Sequence, residues 1–206
     1  MKSTAANSFG HAGPHRNEGA RQAVLDAADD LLVERGFAGV TMEGIATKAG
    51  VAKQTIYRWW KSKVDVLLDN LEQDGEMALA WPVSDATPTD RLISQLTRIE
   101  NFLHSEAAGK VMQALIGQAL HDRETAQKFR EGFLFNQRKR DLAGLREVLE
   151  ELDCAPKDER VLEELLDQII GPIHYRSLVL GQRSDQELLV RSVEAMLRDA
   201  QVRVQR

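Results

Sequence analysis

The chain has 206 residues, 43% of them hydrophobic and 29% charged, with a net charge of −5, the composition of a soluble globular protein large enough to bury a real core. No apolar run approaches the ~20 residues that cross a bilayer, and the opening MKSTAANSFGHAGPHRNEG lacks the apolar centre of a secretory signal, so a cytoplasmic location and no membrane partner are expected. One cysteine, Cys154, excludes an internal disulfide and a zinc site of cysteine type.

Residues 1–16 are small and polar and read as a disordered tail. Val24, Leu25, Ala28, Leu31 and Leu32 then recur on one helical face, and Gly36 ends the pattern as a C-terminal cap. Thr41 is positioned to N-cap a short second helix with Met42, Ile45, Ala46 and Ala49 inward, stopped by Gly50. A third helix runs from Ala52 to about Trp60, and Ser62 caps a fourth that buries Val64, Leu67, Leu68 and Leu71. Short helices joined by a glycine turn give a helix-turn-helix head over 17–66. Residues 67–206 are expected to be a larger helical body, with a loop at WPVSDATPTD.

In that body Leu92, Leu96, Ile99 and Leu103 form one stripe, and Val111, Met112, Leu115, Ile116 and Ala119 another. Phe129, Phe133, Leu142, Leu145, Val148, Leu149 and Leu152 belong to a longer one. A last pair runs from Val161 to about Leu180 and from Leu188 to about Val202, with Ser184 as the cap between them. Pro172 removes a backbone bond, which predicts a kink just before it. No stretch alternates with period two, so the fold class is all-α.

The charge is uneven. From Thr41 to Lys63 five cations face one anion, Glu43, for a local +4 that leaves −9 elsewhere. At ~100° per residue, Ala52, Ile56 and Trp60 share the inner side of the third helix while Lys53, Tyr57 and Lys61 share an outer one. Lys53, Gln54 and Thr55 sit in the first turn, the part that reaches base edges when such a helix enters a major groove. Gln54 suits adenine and Thr55 a thymine methyl or a phosphate. Tyr57, Lys61 and Lys63 fall over the sugar-phosphate backbone, the Thr41 hydroxyl adds a further contact, and the Trp59 indole offers an N–H near the edge.

RQAVLDAADDLLVERGFAGVTMEGIATKAGVAKQTIYRWWKSKVDVLLDNL, residues 21–71, resembles the DNA-binding domain of the TetR/AcrR family of bacterial transcriptional repressors. The resemblance rests on Gly36-Phe37, Thr41, Ile45-Ala46, Ala49-Gly50-Val51, Ile56-Tyr57-Arg58 and Lys63, and covers about a quarter of the chain. Ala52 stands where the family often has serine, and Trp60 where it usually has phenylalanine. The resemblance implies a ligand-sensing and dimerising body, double-stranded DNA with a palindromic operator, a homodimer and an unidentified small-molecule effector, with no cofactor. Leu162, Leu165, Leu166, Ile169, Ile173 and Leu180, with Leu189, Val193, Met196 and Leu197, offer faces suited to a four-helix interface. Phe102, Met112, Phe133, Phe135, His174 and Tyr175 are the candidates for the effector pocket.

Catalysis is not expected, since there is no Gly-rich phosphate loop and no HExxH, and His104, His121 and His174 are scattered singly. No metal site is expected either. The competing reading is a helical protein-interaction module whose helix-turn-helix no longer binds DNA.

Overall fold

The computed structural model describes residues 14–82, 86–105 and 107–204, with side chains from residue 18 onward. The expected tail thus lies outside the described residues up to residue 13, while residues 14–16 already belong to the first helix. Every regular element among the described residues is a helix: α1 Pro14–Gly39, α2 Met42–Lys48, α3 Lys53–Trp59, α4 Lys63–Ala78, α5 Pro88–Leu103, α6 Ala108–Ala119, α7 Arg123–Phe129, α8 Phe135–Glu151, α9 Glu159–His174 and α10 Gln186–Val204. Two wide π turns, Arg130–Leu134 and Tyr175–Val179, join α7 to α8 and extend α9.

Local chemistry sets the limits of the first four helices. Gly36 breaks α1 with φ 67°, a conformation costly for any residue with a Cβ. The Thr41 hydroxyl accepts from Gly44 N at 3.0 Å, Gly50 turns the chain at φ 67°, and Ser62 Oγ accepts from Asp65 N at 3.3 Å. Val24, Leu25, Ala28, Leu31, Ile45, Ile56 and Leu67 close the core behind them. Val64 is only half-buried, and Val66 takes the inward place on α4. α4 packs on both α1 and α6, and so links head to body.

The body departs from expectation in four places. Leu162, Leu165, Leu166, Ile169 and Ile173 of α9, and Leu189, Val193 and Met196 of α10, are at most 2% exposed within a single protomer. These faces therefore build the protomer's own core, against α5 and α8, and are not free for a partner. Pro172 lies inside an unbroken α9, and the irregularity comes after it, as the π turn at Tyr175. α10 is capped by Asp185, whose Oδ1 accepts from Leu188 N at 2.8 Å, while Ser184 is buried with its N–H donating to Glu100 at 2.8 Å. From the π turn into α8 the inward stripe runs Phe133, Gln137, Asp141, Leu145, Leu149, leaving Leu142 half-buried.

Candidate nucleic-acid interface and adjoining cavity

The exposed face of α3 is built from behind. Val51 N donates to Ala46 O at 3.0 Å, which closes the turn after α2 and delivers Ala52 in an extended conformation. Alanine supplies no side-chain cap there, so α3 begins on backbone alone, with Thr55 N donating to Ala52 O at 2.8 Å. Ile56, fully buried, and Trp60 anchor the rear. Trp60 Nε1 donates to Asp69 Oδ2 at 2.9 Å, and Arg21 holds the other Asp69 oxygen, so one carboxylate of α4 ties the end of α3 to α1. A buried indole needs an acceptor, but nothing in the sequence singles out a residue nine positions on.

Lys53, Gln54, Tyr57 and Lys61 are exposed at the front, with Thr55 half-buried beside them and Thr41 exposed. The Thr41 oxygen is occupied as a cap, which leaves its O–H to donate outward. Glu43 of α2 counts in the sequence only as the segment's lone anion, and the fold gives it a place. Its Oε1 accepts from Tyr57 Oη at 3.3 Å and lies 3.4 Å from Lys53 Nζ, so a single exposed carboxylate orients two of the outward residues.

Two predicted residues are placed elsewhere. Lys63 turns inward, its Nζ donating to Phe37 O at 2.6 Å and lying 4.0 Å from the Phe37 ring centroid, where burial pushes its ammonium pKa down. It closes the end of α1 left open by Gly36. Trp59 is half-buried, edge-on to Trp60 at 5.4 Å, and lines a groove with Arg21 and Asp69 on the side of α1 and α4. Lys48 is also committed, to Glu34 at 2.6 Å and Asp30 at 3.2 Å.

The body encloses a cavity of about 430 Å³ between α5, α6, α8 and α9. Phe102, Met112, Phe133, Phe135 and His174 line it, as does Leu166 of α9; Tyr175 points to solvent and is not part of the lining. Phe102, Phe133 and Phe129 form a stack with centroid separations of 6.3 and 6.2 Å. The buried polar residues Gln137 and Asp141 of the lining, which also includes Arg130, Arg138 and Asp167, escape a sequence reading that looks for apolar residues on an inward stripe. A structural wire connects this wall to the head: Lys128 of α7 bridges to Asp65 in the first turn of α4 at 2.8 Å, and Ser62 Oγ donates to the same carboxylate at 2.9 Å. Among the described residues no helix is long and apolar enough to cross a membrane, and no acidic, His and Cys cluster could hold a metal ion.

Residues 24–69 match the description "Bacterial regulatory proteins, tetR family", and residues 86–196, more than half of the chain, match "Tetracyclin repressor-like, C-terminal domain". The chain belongs to the TetR family. The uncharacterized HTH-type transcriptional regulator YdeS of Bacillus subtilis is 36% identical over 176 residues, covering 82% of this chain and 83% of that protein. The HTH-type transcriptional repressor KstR of Rhodococcus jostii is 27% identical over 132 residues, covering 52% of this chain and 62% of that one. Among solved structures, the TetR family transcription regulator SCO0332 superposes with a TM-score of 0.71 at 29% identity, over 87% of this chain and 97% of that one. DNA binding, dimerisation and effector release are typical of TetR regulators. The α3 face lies in the part of the chain that matches the family's first description, and the cavity in the part that matches its second.

Proposed function

We propose that this TetR regulator is a cytoplasmic homodimeric repressor that binds an inverted-repeat operator through α3 and leaves it when a small molecule fills the cavity. The observation that carries the reading is the division of α3 into a buried rear, Ile56 and Trp60, and an exposed front, Lys53, Gln54 and Tyr57. That front supplies base-edge donors and acceptors in the first turn and a phenol and a cation for phosphates. One short helix reads few bases, so a two-fold pair ~34 Å apart, or at a multiple of that spacing, supplies the affinity. With the expected interface residues other than Leu180 and Leu197 buried inside the protomer, the partner surface falls to side chains left exposed from the π turn at Tyr175 to the end of α10, among them Tyr175, Val179, Leu180, Val202 and Val204.

Release follows from coupling. A ligand that spreads the π turn Arg130–Leu134 moves α7, and with it Lys128, Asp65 and α4, the helix that directly follows α3. A mobility shift on DNA flanking the chain's own gene, at rising salt, tests the reading. Binding is expected to weaken with salt, and Lys53→Ala to weaken it further at unchanged thermal stability. Absence of a shift on every promoter fragment would favour the protein-interaction module instead.

A further inference from the structure

The wall of the cavity carries one deeply buried carboxylate. Asp141 is 4% exposed, and every group that reaches it is a neutral donor: Trp81 Nε1 at 3.1 Å, Gln95 Nε2 at 3.3 Å, and Gln137 Nε2 at 3.1 Å from each oxygen. Oδ1 therefore accepts three times and Oδ2 once. Among the described residues Asp141 has no ion-pair partner. Arg138, on the same helix and also lining the cavity, is committed to Asp167 at 3.2 Å, and Arg140 donates to Gln137 Oε1 at 2.7 Å. Burial pushes the Asp141 carboxyl up from its ordinary value, and the three donors and the charge of Arg140 offset that only in part.

A second acceptor lies in the same lining. His174 Nδ1 is 3.1 Å from Ile170 O. A carbonyl only accepts, so Nδ1 carries the hydrogen, and burial, which pushes the imidazole pKa down, keeps the ring neutral. Nε2 is left with a lone pair, and among the described residues no hydrogen bond reaches it. Most of the remaining lining is apolar, with Phe102, Met112, Phe133, Leu166 and Ile170 among its members; its other charged residues are the exposed Arg130 and the Arg138–Asp167 pair.

Burying a carboxylate without a cation is costly, and neutral donors return only part of that cost. An occupant that brings a cation recovers the remainder, an occupant that brings an anion adds repulsion, and a neutral one does neither. Resting on the reading of this cavity as the effector site, we infer that the effector is an apolar molecule bearing one ammonium group, which pairs with Asp141 and turns its N–H donors toward the acceptors of the wall. Its carbon skeleton fills the phenylalanine side, where the ring faces also favour a cation.

Calorimetric titration of the full-length protein at neutral pH tests this with two skeletons and three head groups: phenylbutylamine, phenylbutanol and phenylbutanoate, and octylamine, octanol and octanoate. On at least one skeleton the amine is expected to bind at least ~10-fold more tightly than the alcohol, the scale of a buried charge-assisted hydrogen bond, with the carboxylate weakest. Asp141→Asn should lower the amine to the level of the alcohol and leave the alcohol unchanged. The head-group series on the unmodified protein decides the matter alone should that variant fail to fold. No amine binding, an alcohol or carboxylate equal to the amine on both skeletons, or an amine preference that survives Asp141→Asn overturns the inference. Operator binding is followed in parallel. DNA binding without amine preference defeats the ligand class and spares the regulator, while amine preference without DNA binding does the reverse.

Discussion

The head and the body of this molecule spend their interiors differently. Across α1 to α3 every buried side chain is apolar or belongs to Trp60, which has its acceptor, and polar groups stay on the outside. The body buries Gln95, Glu100, Thr125, Gln137, Asp141, Ser177 and Ser184, leaves Gln95 Oε1, Glu100 Oε2 and Ser184 Oγ without partners, and surrounds a cavity. An interior of the first kind has one low-energy arrangement. An interior of the second kind holds unmet hydrogen bonds and missing contacts that an added molecule can supply, so its preferred arrangement depends on what is bound. The contrast separates a part built to be stiff from a part built to respond.

The sharpest way to break that contrast is to hollow out the stiff part. Ile56→Ala removes a fully buried side chain behind the reading face and should cost about 2–4 kcal/mol in urea unfolding, with operator binding lost in step. Lys53→Ala, on the front of the same helix, should stay within about 0.5 kcal/mol and still weaken the mobility shift.

Crowding the responsive part comes next. A Cβ at Gly144 would lie 2.1 Å from the Trp81 ring, so Gly144→Ala must displace the indole that donates to Asp141. A loss of about 1–3 kcal/mol is expected in thermal unfolding, and ligand binding should suffer more than DNA binding at temperatures where the chain is folded.

Asp29 is the exception within the head and sharpens the rule. It is half-buried where α1 meets α4, its Oδ1 has no hydrogen-bond partner, and burial raises its carboxyl pKa to about 6. The folded chain keeps this proton to about pH 6 and the unfolded chain only to about pH 4. Stability should therefore fall as pH rises between those values and stay reduced above them. Asp29→Asn should remove that slope and raise stability at neutral pH by about 1–2 kcal/mol, after allowance for solvent screening of a partly exposed group.

The smallest effect on stability belongs to the link between the parts. Lys128→Ala removes a half-exposed ion pair and should cost less than about 1 kcal/mol. Operator affinity without ligand should hardly change, whereas the loss of affinity caused by ligand should shrink by a few-fold, on the order of 0.5–2 kcal/mol of coupling.

Legibility in the amino acids alone divides along the same line. Gly36, Thr41, Gly50 and Ser62 act within four residues of themselves, and each sits where local chemistry puts it. Lys63 and Trp59 share a helix-end composition with groups that face solvent, and only the tertiary position of Phe37, Arg21 and Asp69 sends them elsewhere. On α9 and α10 an apolar stripe has the same appearance whether it meets its own chain or a second copy, so periodicity assigns the interface to faces that the protomer itself consumes. On α8 Leu142 lies at the edge of the inward stripe and is half-buried, while its neighbour Asp141 faces inward, a place that hydrophobic periodicity does not register because it counts only apolar residues. The five candidates that line the cavity, Phe102, Met112, Phe133, Phe135 and His174, stand out by bulk. Side-chain size does not reveal the charge that gives the cavity its selectivity.

The two π turns have a mechanical consequence. Each contains one residue more than an α turn needs; the first, between α7 and α8, lies at the cavity, and the second follows His174, a lining residue, at the end of α9. Such a surplus can travel along a helix, rotating each residue it passes by ~100°, while the ladder re-forms behind it. Phe133 lies within the first of them and Phe135 directly after it, one wholly enclosed and the other 56% exposed. A shift of that surplus past the pair would turn both rings relative to the lumen, giving the chamber an adjustable bore without any helix of the bundle having to unwind.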